Sequence, residues 1–188
     1  MKRIAIFASG TGSNAEKILS YFKDSADIKV ALIVSNKPDA GVLQIANRHK
    51  VSTLVIEREA FFKGDGYVPQ LEAHQIDWII LAGFLWKIPT TLLKGWEKRI
   101  INIHPALLPK YGGKGMYGNA VHTAVIQAGE TSSGITIHFV DEHYDHGAII
   151  FQAECPVLPN DTPENLATRI HALEHQHFPR VVEQVITT

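Results

Sequence analysis

Asn102 and His104 stand two positions apart at the end of an apolar run. Strand side chains alternate with period 2, so both project to one side. Pro105 and Pro109 then hold the next segment off the helical path. A carboxamide beside an imidazole at a strand's carboxyl end can grip a carbonyl oxygen as it gains negative charge. A second strand-like run, residues 134–140, leads into Asp141-Glu142-His143-Tyr144-Asp145-His146-Gly147. There Asp145 can fix the imidazole's tautomer and favour its charged form. No Ser or Cys nucleophile accompanies Asn102, His104 and Asp145, which points to transfer of a carbonyl group to an outside acceptor. The plainer alternative has Asn102 capping the strand and His104 packing beneath the proline loop.

A second site-forming stretch is Ser9-Gly10-Thr11-Gly12-Ser13-Asn14-Ala15, between the first strand and the first helix. Backbone N–H groups at a helix N-terminus, with the dipole behind them, seat a phosphate. Gly10-x-Gly12-x-x-Ala15 also meets a loose dinucleotide pattern, but that pattern needs an acid at the end of the second strand. Val34-Ser35-Asn36-Lys37 stands there instead, and Asp39 follows Pro38, which favours a single phosphate on Gly12, Ser13 and Asn14. Near the end, His171-Ala172-Leu173-Glu174-His175 spells a zinc-protease-like H-x-x-E-H. Only Glu183 remains as a third carboxylate ligand, so no metal is expected and Glu174 is read as a hydroxyl acceptor facing a cleft. His138 sits opposite Ile135, Ile137 and Phe139 on its strand, as a site-lining or a core residue; His49, His74, His122, His143 and His146 read as solvated.

The elements that must position these groups alternate. Residues 3–8, 30–35, 51–56, 78–82 and 99–103 read as buried parallel strands, and 14–22, 41–49 and 89–96 as helices, with Pro89 in a first turn. Gly64 and Gly66 interrupt any early helix in 61–75. A glycine-rich loop, 110–118, precedes a helix over 119–128. Strands at 133–140 and 148–157 are placed to pair antiparallel, and a last helix starts after Asp161-Thr162-Pro163-Glu164, kinked near Pro179. The pattern implies an α/β, doubly wound, mostly parallel Rossmann-like sheet with an antiparallel C-terminal part, in one domain over 1–188.

The 188 residues are 45% hydrophobic and 20% charged, ordinary for a globular chain. A net charge of −1 offers no case for nucleic acid or anionic membranes. No apolar run approaches the roughly 20 residues of a membrane span, and Ser9 to Asn14 cut short any signal-like start. Cys155 is the single cysteine, which excludes intrachain disulfides and suits the cytoplasm.

Asn102-Ile103-His104-Pro105-Ala106-Leu107-Leu108-Pro109 resembles the signature of the folate-dependent formyltransferases, with Ala106 where Ser is more usual. Ser9-Gly10-x-Gly12-Ser13-Asn14, Val34-Ser35-Asn36-Lys37-x-Asp39-Ala40, Leu81-Ala82-Gly83-Phe84, the Asp145 loop and Glu174-His175 extend the resemblance over almost the whole chain. It is greatest to the branch that moves a formyl group from 10-formyltetrahydrofolate, a cosubstrate, to the amine of 5'-phosphoribosylglycinamide in purine synthesis. The resemblance implies Asn102, His104 and Asp145 as the catalytic trio; Gly12, Ser13 and Asn14 on the phosphate; and Glu174 near the ribose. It also implies a folate pocket from Leu85, Trp86, Lys87 and Ile88 with Asn102, Val140 and Asp141. The ribonucleotide phosphate then belongs to the N-terminal half and folate to the C-terminal half. Trp86 stands where the family often has Arg, Gly64 where an Arg can meet the folate tail, beside Lys63 as a possible lining residue, and Gly115-Met116-Tyr117 where some members are His-rich. Within the class, methionyl-tRNA formyltransferase and formyltetrahydrofolate deformylase typically carry an extra domain that a chain of this length does not accommodate. A nucleotide-sensing module without catalysis would need the glycine loop but not the trio. The expected substrates are small molecules, with no nucleic-acid or membrane partner, and the chain is expected as a monomer or homodimer.

Overall fold

A computed structural model describes residues 1–188. Strands β1 (Lys2–Phe7), β2 (Ile28–Ser35), β3 (Ser52–Val55), β4 (Trp78–Leu81) and β5 (Ile100–His104) pair in parallel, in the order β3-β2-β1-β4-β5. Strands β6 (Ser132–Phe139) and β7 (Ile149–Pro156) then add antiparallel, completing seven strands. Helices α1 (Ser13–Tyr21), α2 (Gly41–Arg48), α6 (Asn119–Gln127) and α7 (Pro163–Thr187) share one core with Ile4, Ile6, Ile33, Ile80, Ile101 and Ile103. Helices α3 (Arg58–Lys63), α4 (Val68–Ala73) and α5 (Thr90–Gly95) share the other with Ala5, Phe7, Leu32, Val34, Ile79, Leu81 and Ile100. Alternate strand residues therefore feed opposite cores, which is why β1, β2, β4 and β5 carry near-continuous apolar runs.

The doubly wound, mostly parallel sheet with its antiparallel end is the architecture its alternation implied. Three local features bear on the expected elements. As expected, Gly64 and Gly66 interrupt residues 61–75: α3 ends at Lys63 and α4 starts at Val68. Pro89 precedes α5 with extended backbone instead of sitting in its first turn. Helix α7, capped by the Thr162 hydroxyl accepting from Asn165 N–H, runs through Pro179 without a break. Pro179 lacks an N–H, so the His175 carbonyl forgoes its usual partner.

Candidate active site

From β1 the chain winds outward to β3, then returns to lay β4 on β1's other side. The carboxyl ends diverge at that switch, the place where open α/β sheets bind ligands. Ser9 ties the divergence together. Its hydroxyl donates to Asn36 Oδ1 (2.6 Å) and accepts from Leu85 N–H (2.9 Å), while its N–H donates to the Gly83 carbonyl (3.1 Å). Beside it opens a cavity of about 640 Å³, lined by the glycine loop, the end of β5, the Gly113–Gly118 segment, Tyr144, Asp145, His171 and Glu174.

Gly12 caps α1 with φ +84°, and a Cβ there would lie 2.8 Å from the Val42 side chain. The turn therefore requires glycine. It brings the unbonded N–H groups of α1's first turn to the cavity, which Lys37 and Lys114 also line. Asn14 Nδ2 donates to Glu174 Oε2 (2.8 Å), across 160 residues, leaving Asn14 Oδ1 buried without a partner. Burial raises the Glu174 carboxyl above its ordinary range, against the opposing pull of Asn14 and His171.

At the other end of the cavity Asn102, His104 and Asp145 converge, with His138 behind them. Asn102 pairs across β5–β6 with His138. His138 Nδ1–H donates to the Phe139 carbonyl (2.8 Å), and its Nε2 lies 3.0 Å from Asn102 Nδ2. His104 Nε2–H donates to the Tyr111 carbonyl (2.8 Å), which turns Nδ1 toward Asp145 Oδ2 at 3.5 Å. Asp145 Oδ1 lies 3.7 Å from His138 Nε2, and Oδ2 accepts from Gly113 N–H (2.9 Å). Asp145 takes a left-handed φ of 54°, and its loop closes so tightly that a Cβ on Gly147 would sit 1.8 Å from the Phe139 carbonyl oxygen. Burial pushes the Asp145 carboxyl up, but the His138 contact, the His104 charge and the Gly113 N–H leave it below its ordinary value. For His104 burial wins: its pKa is lowered despite the upward pulls of Asp145 and the Tyr111 carbonyl. Burial and the carboxylate therefore pull the His104 ring in opposite directions.

The expected folate residues are dispersed. Leu85 lines the cavity and Lys87 is exposed. Trp86 packs against Phe61, Phe62 and Phe84 with Arg58 over its ring. Ile88 is buried in the core and Val140 packs against that core, while Asp141 accepts from His143 N–H (2.7 Å). Lys63 is outside the cavity lining and pairs with Glu59 on α3's surface at 3.4 Å. His122, expected in solvent, is 3% exposed; it stands three residues before Val125 on the face α6 turns to the core. His49 is likewise not free but contacts Glu16 (2.7 Å). Sequence reasoning missed Lys37, Lys114, His122, His171 and Tyr144 as lining residues. Lys37 and Lys114 carried a signal as cations within loop motifs, and His171 as the residue one helical turn before Glu174.

The Formyl transferase family model matches residues 2–182, and the chain belongs to that family. Among its relatives, the chloroplastic phosphoribosylglycinamide formyltransferase of Arabidopsis thaliana is 44% identical over 187 residues, which are 96% of this chain and 64% of that protein. The chain thus spans a little under two thirds of that plant relative's length. Phosphoribosylglycinamide formyltransferase of Bacillus subtilis (strain 168) is 38% identical over 191 residues, 99% of this chain and 95% of the relative. The crystal structure of phosphoribosylglycinamide formyltransferase from Bacillus halodurans superposes with a TM-score of 0.89 at 36% identity, covering 100% of this chain and 96% of that one.

Proposed function

We propose that this chain transfers the formyl group of 10-formyltetrahydrofolate to the amine of 5'-phosphoribosylglycinamide in purine biosynthesis. The observation that carries the reading is one cavity with a phosphate-sized helix terminus at one end and Asn102, His104 and Asp145 at the other. The relatives' names agree with that chemistry. Gly12, Ser13 and Asn14 hold the phosphate, with Lys37 and Lys114 as counter-charges, and Glu174 takes the ribose hydroxyls. The amine attacks the formyl carbon directly, and the second N–H of Asn102 Nδ2 donates to the oxyanion. Neutral His104 collects the amine's proton at Nδ1, the Asp145 carboxylate holds the resulting imidazolium, and the proton passes to the departing folate nitrogen. Folate enters beside Leu85 and the Asp145 loop. No resident metal takes part in this scheme.

The chain acts as one domain over 1–188, as a monomer or homodimer in the cytoplasm, on small molecules alone. No helix is long and apolar enough to cross a membrane. The deciding experiment offers 10-formyltetrahydrofolate with the ribonucleotide, initiator methionyl-tRNA or water as separate acceptors. Turnover with the ribonucleotide alone is the expected result. Turnover with tRNA, or formate release into water, moves the chain to another branch; binding without turnover leaves a nucleotide-sensing module.

A further inference from the structure

The segment between β6 and β7 carries a second group of side chains. Asp141 Oδ2 lies 3.4 Å from His146 Nδ1, and Oδ1 lies 4.0 Å from His143 Nδ1. One ligand atom from each of the three falls within 4.8 Å of the others, and none of the three lines the cavity. Zinc holds nitrogen and oxygen donors at about 2.0–2.2 Å, so donors around a tetrahedral ion stand about 3.4 Å apart. The carboxylate–imidazole separations of 3.4 and 4.0 Å, one from each Asp141 oxygen, lie near that spacing, and a small rotation of the exposed rings closes the rest. The pairing is also pre-set, because His143 N–H donates to Asp141 Oδ1 (2.7 Å). No Lys or Arg pairs with the Asp141 carboxylate, and the two rings meet edge to face with centroids 5.5 Å apart. Two imidazoles and one carboxylate suit a borderline transition cation, whereas calcium and magnesium favour all-oxygen sets.

We propose that Asp141, His143 and His146 bind one zinc-class divalent cation at the surface, and that its binding pins the loop carrying Asp145. The ligands bracket Tyr144 and Asp145, both of which line the cavity. Closing 141–146 through one ion restrains both residues without the ion touching the reaction. Ion binding stands independently of the proposed reaction; only an effect on turnover rests on it.

Chelator-treated protein titrated with Co²⁺ is expected to show one equivalent with the visible absorption of low-coordinate cobalt, displaced by Zn²⁺. His143→Ala and His146→Ala should each weaken binding roughly 10-fold or more. With Zn²⁺ bound, amide exchange across 140–147 should slow in the wild type and not in the double variant. Binding only at millimolar Co²⁺, or equal binding by the double variant, overturns the site. Exchange that is unchanged with the ion bound overturns the pinning.

Discussion

Two opposed influences act on the His104 ring: burial that keeps it neutral and a carboxylate that would charge it. In the proposed reaction Nδ1 accepts the amine's proton and Asp145 supports the ring once the proton arrives. His104→Ala and Asn102→Ala should each lower kcat on the order of 100-fold, as loss of a positioned donor or base does. Near wild-type turnover in either removes the central assignment. Asp145→Asn withdraws the charge that raises the His104 pKa. The acid limb of the pH–rate profile should therefore move to lower pH while the plateau falls; an unmoved limb would make Asp145 purely structural. At the far end, Gly12→Ala meets Val42 at 2.8 Å in a left-handed turn. The ribonucleotide KM should rise far more than the folate KM. The reverse ratio would seat folate on the first turn.

Much of the element order was readable in sequence because β1, β2, β4 and β5 carry near-continuous apolar runs and the longer helices follow turn residues. What joins them was less so. Asn102 and His104 announced themselves by spacing on one strand, whereas Ser9 and Thr136 act through tertiary hydrogen bonds that no local pattern encodes. The Thr136 hydroxyl accepts from Leu108 N–H (3.0 Å) and Gln152 Nε2 (2.8 Å) and donates to the Ala106 carbonyl (2.7 Å). It pins the proline loop to β6, and that loop leads to the Tyr111 carbonyl that orients His104. Likewise, the folate residues expected as one run, 85–88, point in different directions because they leave the sheet in an irregular turn whose course depends on the aromatic cluster beneath. Thr136→Val strands a buried N–H and should cost about 1–3 kcal/mol in urea unfolding, with kcat falling alongside. Loss of stability with unchanged kcat would separate the loop from the catalytic ring.

Across the whole molecule, buried ionisable groups make stability depend on pH. Burial, aided by the charges of His171 and His104, pushes His122 down to about 4. The unfolded chain takes up that proton near pH 6.5 and the folded chain does not, so the contribution is complete above about 6.5 and is lost as pH falls toward 4. The loss is up to about 3 kcal/mol. Glu174 has the opposite sign: its raised pKa makes the folded chain hold a proton longer, so its contribution is present at low pH and lost as pH rises. Melting curves between pH 4 and 7 should flatten in His122→Phe; an unchanged slope would assign the acid loss elsewhere. The position of β7 bears on how the molecule can fail. It has a neighbour on one side only, and Asp145 hangs in the connection between it and β6, whereas the glycine turn rests on the central β1. Sheet margins open at lower free energy than centres. Peeling β7 away would leave a molecule that still captures the ribonucleotide and shields it, yet cannot commit it to product. In mild urea, turnover should vanish before ribonucleotide binding does, and simultaneous loss would mean that the sheet parts as a single unit.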